Sequence, residues 1–179
     1  MRSLGDALHL FLAIDDSEKS MESRLRCASE IASNHKIYGL NPTQFLEASD
    51  RLWRKLNELY PDANWLREWP ITGRRGTQRI TGTIDLLLEC SEGYVIIDHK
   101  SFPGRYETWE ERAISYYPQL DAYAELVKQA TTRKVIGLYI HMPVAGSLLR
   151  LKAVSDWTSE ETLQTAEFEC DAELSYRVF

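Results

Sequence analysis

Asp98 and Lys100 stand two residues apart at the end of the apolar run Val95-Ile96-Ile97. Residues two apart on an extended strand share a face, so the carboxylate and the ammonium lie close together. A second carboxylate, Asp85, interrupts the apolar stretch Thr83-Ile84-Asp85-Leu86-Leu87-Leu88. If the two runs pair through the turn Ser91-Glu92-Gly93, the acids converge. An acid inside an apolar run is costly to bury unless it is paired or holds a metal. Two carboxylates and one lysine about a point form the pattern of phosphodiester hydrolysis on a hard cation. The acids bind Mg²⁺ or Mn²⁺, the ion acidifies water, and the lysine offsets charge that develops at phosphorus. The bland alternative is an exposed ion pair at a strand end, which carries no function.

The elements that must position these groups can be read from periodicity. Ser3 can cap a helix running to Ile14, apolar nearly all round and hence buried. A polar helix follows over 18–34. Asn41-Pro42 is a helix start, and Phe45, Leu52, Leu56 and Leu59 recur at helical spacing until Tyr60-Pro61. The middle of the chain switches to strands: 65–72, in which Pro70 argues for an edge, then 78–90 and 94–100, with a turn at 73–76. Residues 101–117 read as a long irregular connection, 118–130 as a helix, and 133–141 and 147–154 as two more strands. Ser159-Glu160-Glu161 opens an expected C-terminal helix. This order gives a mixed α/β or α+β domain without internal repeats: a helical region over 1–60, a sheet and helix over 61–154, and a helix over 155–179.

Composition narrows the class. The 179 residues suit one domain, and 44% apolar and 11% aromatic content supports a buried core rather than disorder. Cys27, Cys90 and Cys170 are too few and too scattered for a disulfide scaffold, a zinc site or an iron–sulfur cluster. No run approaches the ~20 apolar residues of a membrane span, and Leu8–Ile14 lacks the flanks of a signal peptide. The expectation is a cytoplasmic protein with no membrane partner. Its net charge of −6 disfavours tight non-specific nucleic-acid binding.

Three segments in order, Gly82-Thr83-Ile84-Asp85, Ile97-Asp98-His99-Lys100 and Gln119-Leu120-Asp121-Ala122-Tyr123, resemble the PD-(D/E)XK nucleases. An upstream Gly5-Asp6-Ala7-Leu8-His9 is similar to the G-x-x-x-H of the RecB-like branch, found in AddA- and RecB-type helicase–nucleases. The resemblance runs from Gly5 to about Val154 and implies a restriction-endonuclease-like core. It also implies His9, Asp85 and Asp98 as metal ligands, with the backbone carbonyl of His99 as a further one. Lys100 would be the catalytic lysine, and Gln119 and Tyr123, at i and i+4 on a helix, would position the scissile strand. The branch often has Tyr where this chain has His99, whose side chain is expected on the opposite face. The implied activity is a Mg²⁺- or Mn²⁺-dependent DNase acting on DNA ends, in repair or recombination, with a helicase motor as partner. Such a motor would also answer the acidity, and the chain's start directly at the G-x-x-x-H helix fits a domain of a larger protein. A silent DNA-channelling domain derived from the same fold is the alternative; an unrelated interaction domain is a third.

Several residues keep two readings. His9 alone would be a packed core histidine; Gly5 and the downstream motifs turn it into a ligand. Glu68, in Arg67-Glu68-Trp69-Pro70, is either a neighbour of the site or a surface charge. Arg105, Tyr106, Trp109 and Arg112 interleave cations with aromatics, as suits a single strand, or else pack onto the core. Arg74, Arg75 and Arg79 are phosphate contacts or a solvated hairpin tip.

Overall fold

The computed structural model describes residues 2–101, 109–151 and 168–170. In chain order the elements are α1 (Arg2–Ile14), α2 (Met21–Asn34), α3 (Thr43–Leu59), β1 (Asn64–Arg75), β2 (Gln78–Cys90), β3 (Gly93–His99), α4 (Trp109–Thr131), β4 (Val135–Met142), β5 (Ser147–Leu151) and β6 (Phe168–Cys170). Six strands form one sheet in the order β1-β2-β3-β4-β5-β6. All neighbours are antiparallel except β3 and β4. A parallel pair needs a crossover, which α4 supplies. The result is the expected mixed α+β architecture, a sheet flanked by helices, consistent with a restriction-endonuclease-like core.

Burial explains the strand pattern. Every residue of β3 is buried, so this central strand reads as one apolar run until Asp98. On one face Tyr94 and Ile96 pack with Leu120, Tyr123, Leu126 and Val127 of α4. On the other, Val95 and Ile97 meet Leu12 of α1 and Leu52, Trp53 and Leu56 of α3. A third cluster, with Phe11, Ala28 and Phe45 fully buried, binds α1, α2 and α3 to one another. β1 lies at the sheet edge, where Pro70 costs no ladder hydrogen bond. The Asn41-Pro42 start is realised by Asn41 Oδ1, which accepts from the Thr43 N–H at 3.1 Å.

The structure corrects two expectations. α4 begins at Trp109, not Pro118, so 109–117 are helical rather than irregular, and Pro118 lies inside the helix. Proline there leaves one helical carbonyl without its N–H. Burial of Leu120, Tyr123, Leu126 and Val127 against the sheet outweighs that loss. β1 continues to Arg75, and the turn shrinks to Gly76-Thr77, where Gly76 takes φ +60°, open to glycine without penalty. The helix expected from Ser159 lies outside the described residues, apart from Phe168–Cys170, which pair with β5 as a strand.

The β1–β2 ladder carries one irregularity. In β2, Leu87 and Ile84 both join the α4-side cluster although three residues separate them, and in β1 so do Leu66 and Ile71. Strict alternation forbids this. The face therefore slips by one residue in both strands, at Glu68 and Asp85, which would oppose each other and are the one pair missing from an otherwise continuous ladder. Glu68 absorbs the slip with φ +48°. A left-handed non-glycine residue costs about 1–2 kcal/mol.

Candidate active site

His9 reaches the sheet because α1 lies close against it. Gly5, one turn earlier on the same helix face, faces Ser101, whose side chain would collide with any Cβ placed on Gly5. The missing side chain thus lets α1 approach the segment that follows Lys100. The end of α1 is fixed by a buried network. Arg24 donates from Nε to Asp15 Oδ1 at 2.9 Å and from Nη2 to Asp15 Oδ2 at 2.7 Å. Ser49 Oγ donates to Asp15 at 2.7 Å, and Arg24 also holds Asp50 at 2.6 Å. Arg67 of β1 donates to the Asp15 carbonyl, which ties this helical layer to the sheet edge.

Among the described residues, His9, Glu68 and Asp85 present ligand atoms that all lie within 4.8 Å of one another. His9 Nε2 is 3.2 Å from Asp85 Oδ2 and 3.7 Å from Glu68 Oε1. The slip in β1 and β2 accounts for this: it turns Glu68 and Asp85 towards α1 at the level of His9. Asp85 also accepts from the backbone N–H of His99 at 2.7 Å. The β2–β3 ladder ends one pair earlier, at Leu86 and Ile97, so the carboxylate takes over a donor that the sheet releases.

Asp98 and Lys100 share the α4 face, as their spacing requires, with Lys100 Nζ 2.6 Å from Asp98 Oδ2. Lys100 also lies 5.0 Å from the centre of the Tyr116 ring, a cation–π contact. On α4, Gln119 donates from Nε2 to Tyr123 Oη at 3.4 Å. Tyr123 packs over Gly82, where a Cβ would strike its hydroxyl. The glycine of Gly82-Thr83-Ile84-Asp85 therefore seats the tyrosine of the α4 motif.

The charges are in tension. Burial pushes Asp98 up, and the Asp85 carboxylate adds to it, so Asp98 stands at about 6 despite Lys100. Burial also raises Asp85, but His9 and His99 outweigh it and leave this carboxyl below its ordinary range. His9 is raised, chiefly by its contact with Asp85. Glu68 is raised by burial. His9 Nε2 and Asp98 Oδ2 are buried within ion-pair reach of partners, yet neither makes a hydrogen bond of good geometry. Carboxylate oxygens and an imidazole, two of them short of a bond, fit a hard divalent cation.

The other residues singled out by the sequence divide between the site and its surroundings. The His99 imidazole lies on the face opposite Lys100, but it is not remote: it stands edge-on to His9 with centroids 5.7 Å apart. Its Nδ1 is 3.0 Å from Nδ1 of His141 on β4. Arg75 pairs with Asp121 at 2.7 Å and Glu125 at 2.9 Å, so it fastens the hairpin to α4. Arg74 is exposed. Trp109 opens α4, and Arg105 and Tyr106 lie outside the described residues. Glu68, which the sequence left undecided, joins the cluster; its backbone conformation had no local sequence signal.

Two chemically unlike groups thus meet where β2 parts from β3: a histidine–carboxylate cluster and a buried acid paired with lysine. The family model of the PD-(D/E)XK nuclease superfamily matches residues 1–175, and the chain belongs to that superfamily. Its members are usually nucleases dependent on divalent metals such as Mg²⁺. No curated protein matches the chain. No helix among the described residues is long and apolar enough to cross a membrane.

Proposed function

We propose that this chain is a Mg²⁺- or Mn²⁺-dependent deoxyribonuclease of the RecB-like branch, cutting DNA ends within a helicase–nuclease that serves repair or recombination. The observation that carries the reading is the meeting of His9, from an N-terminal helix, with Asp85 on β2. Those two residues belong to motifs that the RecB-like pattern joins. A net charge of −6 further supports delivery of the strand by a motor.

His9, Glu68 and Asp85 would hold the cation, with Asp98 and the His99 carbonyl completing its surroundings. When bound, the ion supplies a Lewis acid that polarises the phosphodiester and acidifies water. The chain's own groups do the rest. Lys100, aimed by Asp98 and Tyr116, offsets charge that builds on the phosphate oxygens. Gln119 lines the adjacent surface and positions the strand, held by its bond to the buried Tyr123.

The test is parallel Mn²⁺ calorimetry and single-turnover cleavage. Lys100→Ala should retain Mn²⁺ and lose about 10²–10³-fold in rate, as when an oxyanion donor is removed. Asp85→Ala should lose both. A Lys100→Ala protein that cuts at wild-type rate would overturn the assignment.

A further inference from the structure

The β1–β2 hairpin extends beyond the metal cluster, and its two faces differ. Towards α4 it presents Ile71, Gly73 and Gly82, which lie against the helix side chains. The other face alternates with them and carries three cross-strand pairs: Pro70 opposite Thr83, Thr72 opposite Thr81, and Arg74 opposite Arg79. All six residues are exposed. Continuing at the same period of two, the next pair inward is Glu68 and Asp85, two members of the cluster with His9.

Two features of this face call for a ligand. Arg74 and Arg79 are directly opposed like charges, which a hairpin avoids when stability alone decides. And the sixteen residues from Trp69 to Ile84 contain three arginines, four threonines and no acid, in a chain whose net charge is −6. Arg75 is already engaged by two carboxylates of α4. The two guanidinium groups left at the tip make a cationic strip with Thr72 and Thr81, whose hydroxyls bond to each other at 3.0 Å between the tip and the cluster. Phosphodiester oxygens are what such a strip recognises, since phosphate contacts draw on Arg donors and need no base sequence.

We propose that this hairpin face is a track for the phosphate backbone of the DNA strand, gripped by Arg74 and Arg79 at the tip and leading to the Glu68–Asp85 cluster. The proposal rests on the nuclease reading for the identity of the strand. Six residues separate Arg74 from Glu68, so the grip lies about 20 Å from the cluster at ~3.3 Å per residue. The grip is therefore on backbone well away from the scissile bond, and it acts on binding rather than on chemistry.

The experiment uses the full chain and a single-stranded oligonucleotide, with binding followed by fluorescence anisotropy in Ca²⁺ across a salt series. Arg74→Gln/Arg79→Gln should bind more weakly, and the slope of log affinity against log salt should shrink by about 1.4, at ~0.7 for each phosphate no longer neutralised. A charge-matched control, Arg26→Gln/Arg54→Gln, alters exposed arginines of α2 and α3 and should keep the wild-type slope. Because the hairpin is relieved of a like-charge pair, the Arg74/Arg79 variant should melt no lower than wild type, which separates weakened DNA binding from a damaged fold. Its Mn²⁺ affinity should also be unchanged. An unchanged salt slope in the Arg74/Arg79 variant, or an equal fall in the control, would overturn the track. If wild type shows the arginine-dependent slope yet binds no Mn²⁺ and cuts nothing, the track stands and the nuclease reading falls.

Discussion

Replacing Gly5 by alanine pits helix propensity against site geometry. In the interior of an exposed helix the change would stabilise by up to about 1 kcal/mol. Here the new methyl would stand 2.5 Å from Ser101 Oγ and closer still to its Cβ, whereas ordinary contact begins at 3.4 Å. Ser101 follows Lys100 directly, so either α1 or that segment must withdraw by about 1 Å to recover normal contact. His9 rides on α1 one turn away, with its Nε2 3.2 Å from Asp85. A displacement of that size at a reacting centre can cost on the order of 10²-fold in rate. Gly5→Ala should therefore bind Mn²⁺ more weakly and lose about two orders of magnitude in single-turnover cleavage, while far-UV circular dichroism keeps its helical signal. Only the side chain of Ser101 crowds the site, since its Cα would lie 3.9 Å from the new methyl. Gly5→Ala/Ser101→Gly should accordingly recover most of the loss. Full activity in the single variant, or no recovery in the double, would refute the link between this close approach and the cluster.

Asp15 is held below the usual carboxylate range: burial raises it, but Arg24 and Ser49 more than offset this. Its stabilisation is thus complete above the unfolded value near 4 and disappears as pH falls through the depressed folded value. Asp15→Asn should lose about 3 kcal/mol in urea unfolding at pH 7, with a difference from wild type that narrows in acid. Asp98 behaves oppositely in protein stripped with EDTA, because its folded value, about 6, lies above the unfolded one. Its favourable contribution is present below about pH 4 and is lost as pH rises through about 6. Asp98→Asn should then stabilise the metal-free protein at pH 7 by about 2–3 kcal/mol while abolishing Mn²⁺ binding. A destabilised Asp98→Asn protein in EDTA would show that Asp98 is an ordinary ion-pair partner of Lys100.

Local pattern carried most of the fold. The β2 and β3 strands, the edge position implied by Pro70, and the start of α3 at Asn41-Pro42 are all set by neighbours in sequence. The approach of Lys100 to Asp98 followed from period-two geometry, whereas the acids that join His9 in one cluster are Asp85 and Glu68, not Asp85 and Asp98. What escaped depends on distant partners. Pro118 reads locally as a helix start, because its place inside α4 is secured only by packing against the sheet. The entry of Glu68 into the cluster requires a slip shared by two strands, for which neither strand alone gives a signal. Arg75 reads as a free cation until Asp121 and Glu125 arrive from α4. The Gly5–Ser101 approach, too, is a contact between residues that only the tertiary fold makes neighbours.

The two imidazoles beneath the site have a further consequence. With Nδ1 of His99 facing Nδ1 of His141 at 3.0 Å, a single proton must lie between them. One ring donates and the other accepts, so the two side chains are forced into opposite tautomers. Burial pushes His99 down to about 4 and His141 well below its ordinary value, so neither ring gains a second proton near neutral pH. The donor ring then has a bare Nε2 lone pair and the acceptor ring an Nε2–H. Swapping these roles requires moving protons at both ends of the pair together. The base of the site is therefore an uncharged dipolar unit with two states, whose orientation is chosen by whatever Nε2 of either ring meets.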